Sequence, residues 1–91
     1  MSTHRRGDFG QMDLVELLAL DEEGFKARFK GTPMQRTRRR GMLRNAAVAL
    51  GNIGDAAAIP ALERAAADKE TLIAEHAHWA LGEVRRRIGS N

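Results

Sequence analysis

The chain has 91 residues and a net charge of +3, enough for one small domain with a modest core. It contains no cysteine, which excludes disulfides, thiolate metal sites and iron–sulfur ligation by its own residues. It has no apolar run of about 18 residues and no apolar N-terminal segment, so we expect no membrane span, no signal peptide and a cytoplasmic location.

The first residues are expected to lie outside the fold. Residues 1–11 combine mixed charge with glycine and show no periodicity, which is typical of a flexible tail or the end of a linker. The predicted domain is therefore 12–91. Asp13 is expected to open its first helix as an N-cap, with Glu16 three residues on completing a capping box.

A second helix is predicted to begin after Asp21, a typical N-cap residue. Phe25 and Phe29 are spaced i, i+4 and are expected to anchor its buried face. The segment 31–33, Gly-Thr-Pro, should end this helix, because glycine allows a left-handed cap and proline cannot continue the hydrogen-bond ladder.

The third predicted helix, at about 36–51, is rich in arginine. At 100° per residue, three arginines fall on one narrow stripe, which we name the cationic edge: Arg36, Arg40 and Arg44. A broad apolar arc faces away from it, formed by Met42, Leu43, Ala46, Leu50 and Ile53. The pattern predicts a largely buried helix with one exposed, positively charged edge.

The distribution of charge is the strongest functional signal. Residues 25–53 contain eight Lys or Arg and no Asp or Glu, which gives about +8 on 26–44 and about −5 elsewhere. Such a concentration favours a polyanionic partner over an ordinary solvated face. The residues that we expect to contact phosphates are Lys30, Arg36, Arg38, Arg39, Arg40 and Arg44.

Two further helices follow a break at 51–54. Asp55 is expected to cap the segment that follows the break, and Pro60 suits a first helical turn, where the missing N–H does least harm. Asp68 marks the next boundary, and a fifth helix is predicted at about 70–88. Trp79 lies off the centre of its apolar stripe, which favours packing against the fourth helix rather than the third.

An internal repeat links the third and fifth helices. Ala49-Leu50-Gly51 recurs as Ala80-Leu81-Gly82, with a period of about 30 residues. A period of this size with helical content is typical of a helical solenoid. The small residues of both triplets are expected where neighbouring helices approach closely.

The remaining candidate sites favour structural roles. His76 and His78 are two residues apart and point in different directions on a helix, so we expect no metal site. Trp79 is interpreted as a packing residue rather than a base-stacking platform. Asn45 is interpreted as a residue that caps or bridges within the helical stack rather than as a base contact. No nucleophile–base pair is evident, so the chain alone is not expected to be an enzyme.

Several segments resemble known families. Residues 54–55, 58–62 and 78–82 (GD, AIPAL and HWALG) are similar to the short HEAT-like repeats of phycobilisome-lyase-type proteins. More specifically, 29–33 (FKGTP) and 38–52 (RRRGMLRNAAVALGN) resemble the C-terminal region of epoxyqueuosine reductase. Residues 75–82 (EHAHWALG) continue that similarity, which covers about 13–88. The resemblance implies an all-α fold, a short α-solenoid of about five helices in HEAT-like repeats.

The resemblance also implies a function. Epoxyqueuosine reductases complete queuosine synthesis on tRNA with cobalamin and two [4Fe–4S] clusters, which are held by domains preceding this region. This chain lacks those domains, so the resemblance implies a detached accessory domain that needs no cofactor of its own. Its partners would be the tRNA anticodon stem-loop, gripped by the arginines, and the missing catalytic domains. The alternative is a protein–protein interaction module, because solenoids present concave surfaces to partner proteins.

Overall fold

The computed structural model describes residues 10–31 and 39–89. These ranges form a stack of α-helices without a β-strand, so the predicted all-α class is confirmed. The helices are α1 (Gln11–Leu18), α2 (Glu22–Phe29), α3 (Arg39–Ile53), α4 (Ile59–Ala66) and α5 (Thr71–Ile88), with a short 3₁₀ helix at Ala56–Ala58. No helix in the described ranges has the length and apolar character to cross a bilayer.

One apolar core joins four of the helices. The central helix α3 packs against α1 on one side and α5 on the other, while α4 packs mainly on α5. The largest side chains with no exposed surface are Leu43, Leu50, Leu62, Ile73 and Val84. Small residues fill the space between them, so the helix axes can approach closely. The alternation of leucine and alanine in α3 thus places this helix at the centre of the fold.

The first helix begins earlier than the sequence predicted. Gly10 is its N-cap, and Asp13 stands in the first turn, where its carboxylate accepts a hydrogen bond from the Gly10 N–H at 3.1 Å. The expected cap at Asp13 is therefore wrong, although an acid in the first turn still favours the positive end of the helix. Of the predicted tail, residues 1–9 lie outside the described ranges.

Gln11 is part of the folded structure and fastens α1 to the segment after α3. Its Nε2 donates to Asp55 Oδ1 at 2.9 Å, and its Oε1 accepts from the Asp55 backbone N–H at 2.6 Å. Hydrogen bonds from the Ala57 N–H and from the Gln11 side-chain amide stabilise the ionised carboxylate of Asp55, so its pKa is lowered. The two hydrogen bonds between Gln11 and Asp55 thus hold the start of α1 against the segment that precedes α4.

Other local signals are confirmed. Asp21 caps α2 by accepting from the Gly24 N–H at 2.7 Å, and Gly31 has the left-handed φ of 75° expected after a helix end. Asp55 caps the 3₁₀ helix through the Ala57 N–H, and Pro60 lies in the first turn of α4. The predicted start of α3 at Arg36 lies outside the described residues, whereas its end is at Ile53, beyond the predicted Gly51.

The two repeated Ala-Leu-Gly triplets have different surroundings. A Cβ on Gly51 would lie 2.5 Å from Trp79 Cζ3 and 3.1 Å from Ala80 Cα, so α5 crosses α3 directly on this glycine. A Cβ on Gly82 would meet nothing within 4 Å. The expectation of close approach is confirmed at Gly51 and is wrong at Gly82. Trp79 also lies against α3, not against α4 as its position on the stripe suggested.

Alanine at the two equivalent glycines should therefore have opposite effects on stability. We expect Gly51→Ala to lower the free energy of unfolding by about 1–3 kcal/mol, because the new methyl group overpacks the α3–α5 crossing. Gly82→Ala should raise it by up to about 1 kcal/mol, because alanine favours helix and has room. Urea unfolding followed by circular dichroism measures both variants. Equal effects would contradict the close approach at Gly51.

Candidate nucleic-acid interface

Arg39 does not belong to the exposed arginine surface. Only 8% of it is exposed, and its guanidinium is already occupied within the fold. Nε donates to the Leu20 carbonyl at 2.8 Å, and Nη2 donates to Asp68 Oδ2 at 2.5 Å. Arg39 thus connects the α1–α2 junction to the α4–α5 junction. Because its guanidinium is buried and already hydrogen-bonded, Arg39 is not placed to make the phosphate contact expected from the sequence. Its role in this fold is structural.

Asp68 is the anion that balances Arg39. Partial burial is the largest single influence on its carboxyl group and raises the pKa, whereas hydrogen bonds from Arg39 and from the Glu70 N–H lower it. The positive charges of Arg39 and Lys69 act in the same direction, and the pKa of Asp68 is lowered overall. This pair could not be predicted from the sequence, because the two residues are 29 positions apart and come together only in the fold.

The described part of the cationic edge consists of Arg40 and Arg44. The Arg40 side chain is 47% exposed, and its Nη1 lies 4.0 Å from Glu70 Oε1, at the outer limit of an ion pair. Arg44 is half-buried, and its Nε donates to Asn45 Oδ1 at 3.0 Å. This bond joins two neighbouring side chains on the surface of α3 and does not connect Asn45 to another helix. Both guanidiniums keep further N–H donors for a ligand.

The other predicted phosphate contacts are less defined. Lys30 is exposed at the end of α2, while Arg36 and Arg38 lie outside the described residues. The sequence suggested that no acid stands near the cluster, yet Asp68 and Glu70 approach it from the α4–α5 junction. The local field at Arg39 and Arg40 is therefore weaker than the count of charges along the chain implied.

A surface hollow lies beside the cationic edge. We name it the Trp79 hollow; it has a volume of about 450 Å³ and is lined by Val48, Glu75, His76 and Trp79. Trp79 as a residue is 44% exposed, which is more than is usual for a tryptophan that serves packing alone. His76 Nδ1 donates to the Leu72 carbonyl at 2.8 Å, since a carbonyl can only accept, and this bond fixes the imidazole ring.

A second groove separates α1 and α2 from α3. Its volume is about 330 Å³, and the residues that line it are Asp13, Leu14, Leu17, Arg28, Phe29, Met42, Asn45 and Ala46. The Arg28 guanidinium lies 5.9 Å from the centre of the Phe29 ring, within the range of a cation–π contact. This groove is more apolar than the surface around Arg40 and would suit a side chain of another protein.

The described residues offer little to a metal ion. No group of three or more His, Asp or Glu side chains comes together in 10–31 and 39–89. His76 and His78 occupy different sides of α5, the first half-buried and the second exposed. The surface around α3 and α5 instead combines cations, an exposed aromatic ring and hydrogen-bonding groups.

Comparison with known proteins gives two findings. The family model described as PBS lyase HEAT-like repeat matches residues 42–68, which include most of α3 and all of α4. Several curated relatives are epoxyqueuosine reductases. That of Xanthomonas campestris pv. campestris is 39% identical over 79 residues, covering 86% of this chain and 22% of the relative.

Other relatives agree with the first. The epoxyqueuosine reductase of Shewanella oneidensis is 38% identical over 85 residues, covering 90% of this chain and 22% of its own length. That of Vibrio cholerae serotype O1 is 36% identical over 88 residues, covering 96% of this chain and 24% of its own length. The chain thus spans less than a quarter of these relatives. No solved structure matches it significantly.

The Arg39–Asp68 pair predicts how stability depends on pH. The pKa of Asp68 is lower in the folded state, so the pair stabilises fully above the unfolded-state value of about 4 and loses this effect as pH falls through the folded-state pKa. Asp68→Asn should lower the free energy of unfolding by about 1.5–3 kcal/mol at pH 7. The difference from the unmodified chain should shrink at acidic pH.

The exposed ion pair between Arg85 and Glu63, with both side chains 54% exposed, supplies the control. Glu63→Gln should change the unfolding free energy by less than about 1 kcal/mol at any pH. Urea titrations between pH 7 and pH 3 measure both variants. A pH-independent effect of Asp68→Asn would show that the charge of Asp68 does not stabilise Arg39.

Proposed function

Because this chain is a HEAT-like repeat domain related over most of its length to epoxyqueuosine reductases, we propose that it is a tRNA-binding accessory domain of such an enzyme. In this proposal the domain grips the sugar-phosphate backbone of the anticodon stem-loop during queuosine synthesis in the cytoplasm. The catalytic parts would belong to the portion of the enzyme that this chain does not cover, and the chain alone would not catalyse the reaction.

The cofactors are assigned to that other portion for a chemical reason. By resemblance, the enzyme uses two [4Fe–4S] clusters and cobalamin. Iron–sulfur clusters are held by cysteine thiolates, and this chain has no cysteine, so its residues do not fit a cluster. The contribution that we propose for this chain is binding and positioning of the RNA.

The observation that carries the proposal is the alignment of Arg40 and Arg44 on α3. Four residues along a helix separate their side chains by about 6 Å along the axis, so both can contact one strand of a nucleic acid backbone. Their guanidiniums can each hold a phosphate with two N–H donors. Lys30 adds an exposed cation at the end of α2. Such contacts set the position of the RNA without reading its sequence.

The nearby acids set the strength of this binding. Glu70 lies at the edge of contact with Arg40, and repulsion between its carboxylate and a phosphate opposes binding there. Arg44 has no acidic partner within 4 Å among the described residues, so we expect it to contribute more than Arg40. Binding by the isolated domain should be weak, which suits a domain that acts alongside a separate catalytic portion.

A second candidate function has one observation in its favour. The groove between α1, α2 and α3 combines apolar walls with Arg28 and Asn45 and would accept an amphipathic segment of another protein. Apolar side chains are also exposed at Met12 in α1 and at Ile53, the last residue of α3. In that case the domain would be a protein–protein interaction module, and the arginines of α3 would face an acidic protein.

Salt dependence distinguishes RNA binding from protein binding. Each phosphate contact contributes roughly 0.7–0.9 to the slope of log affinity against log salt concentration. We expect Arg44→Ala and Arg40→Ala each to weaken binding to an anticodon stem-loop and to flatten that slope by up to about one unit, with the larger effect at Arg44. Fluorescence anisotropy of a labelled stem-loop at several salt concentrations measures both quantities.

Arg64→Ala is the matched control, since it removes one exposed cation from α4, away from the cationic edge. It should leave the slope nearly unchanged. Arg39→Ala is unsuitable for this test, because the loss of a buried ion pair would disturb the fold itself. A folded Arg40→Ala/Arg44→Ala variant with unchanged affinity and slope would refute the RNA proposal and favour the protein-binding alternative.

A further inference from the structure

Trp79 is only partly buried, so its surroundings differ from those of a residue that serves packing alone. Its Cε3 and Cζ3 atoms lie against Gly51, and the rest of the indole borders the Trp79 hollow with 44% of the residue exposed. Gly51 has no side chain, so the ring rests directly on the backbone of α3. The ring is thus supported at one edge and open to a ligand elsewhere. It is also the only tryptophan in the chain.

The hollow continues the cationic edge. Arg40, Arg44 and Val48 follow each other at intervals of four residues, so they lie along one side of α3. Val48 forms one wall of the hollow, and α5 forms the other with Glu75, His76 and Trp79. A strand whose phosphates contact Arg40 and Arg44 would therefore bring its next nucleotide over the indole.

We propose that the Trp79 hollow is a nucleobase site, in which an unpaired base of the bound RNA stacks on Trp79 while Arg44 holds a neighbouring phosphate. This inference rests on the RNA-binding function proposed above and adds a subsite to it. Aromatic rings beside a positively charged groove are the usual means of holding unpaired bases, since every base has a face that can stack.

The walls of the hollow are mainly apolar, which suits stacking, and Glu75 is the acidic residue that lines it. Glu75 carries a carboxylate that only accepts hydrogen bonds and repels phosphate, so the base rather than the backbone must occupy this side. Guanine presents two adjacent donors, N1–H and N2–H, on its Watson–Crick edge, and a carboxylate can accept from both. Adenine, cytosine and uracil present no such adjacent pair. The hollow should therefore prefer an unpaired guanine.

A cationic side chain of a protein is the competing occupant. An arginine or lysine could lie over the indole and pair with Glu75. Arg40 and Arg44, on the same side of α3, would repel a positively charged segment, whereas they attract RNA. Charge complementarity across the whole surface thus favours the nucleotide.

The single tryptophan allows a direct test in the unmodified chain. The probes are three single-stranded RNA hexamers. Each is made of uridine except for one internal nucleoside, which is guanosine, inosine or adenosine. We expect the guanosine oligomer to quench Trp79 fluorescence and to protect the indole from acrylamide. Inosine, which lacks the N2 amino group, should bind more weakly, and adenosine more weakly again.

Variants separate stacking from base preference. Trp79→Leu, which removes the aromatic face, should weaken binding of the guanosine oligomer by about 5- to 100-fold when measured by anisotropy. Trp79→Phe should weaken it less, and circular dichroism checks that both variants are folded. Glu75→Gln should abolish the preference for guanosine over inosine while quenching remains. The charge-matched Glu63→Gln on α4 should keep that preference.

The outcomes distinguish this site from the proposed function. Binding of an anticodon stem-loop with the expected salt slope, but with unchanged tryptophan emission and acrylamide quenching by every RNA, would overturn the nucleobase site and leave RNA binding intact. Quenching by an arginine-containing peptide but by none of the RNAs would overturn it in favour of a protein partner. Equal quenching by all three hexamers would overturn the role of Glu75 and retain stacking.

Discussion

The close approach of α3 and α5 at Gly51 is the constraint on which the rest of the structure depends. Because this position has no side chain, the backbone of α5 reaches α3 at Ala80, and the Gly51 carbonyl accepts from Arg87 across the same contact. The approach buries the shared core of leucine and alanine. It also fixes Trp79 beside the side of α3 that carries Arg40 and Arg44.

The arginine-rich start of α3 serves two different purposes. Arg39 faces inward and joins two helix junctions, while the next residue along the helix, Arg40, faces solvent. A helical turn of about 100° per residue is sufficient to separate a structural cation from a binding one. A high density of positive charge is therefore no measure of how many phosphates a surface can hold.

Local signals in the sequence predicted much of the fold. Asp21, Asp55 and Pro60 act within a few residues of their own positions, so their roles follow from nearest neighbours. The repeat predicted a close helix approach at both triplets, which holds at Gly51, where α5 crosses α3. The burial of Arg39 could not be predicted, because it depends on Asp68, which approaches only through the path of α4. The exposure of Trp79 was missed for a similar reason, since it follows from the crossing at Gly51.

Gly82 has a consequence for protein engineering. It is the repeat equivalent of Gly51, yet the space above it is open. A designed third helical unit could carry its own tryptophan at the position equivalent to Trp79. That ring could pack on Gly82, as Trp79 packs on Gly51, and lengthen the solenoid. The exposed His78, which takes the place of the buried Ala47, would have to become a small apolar residue. The polar side chains of α5 that now face solvent thus mark where this surface differs from the buried face of α3.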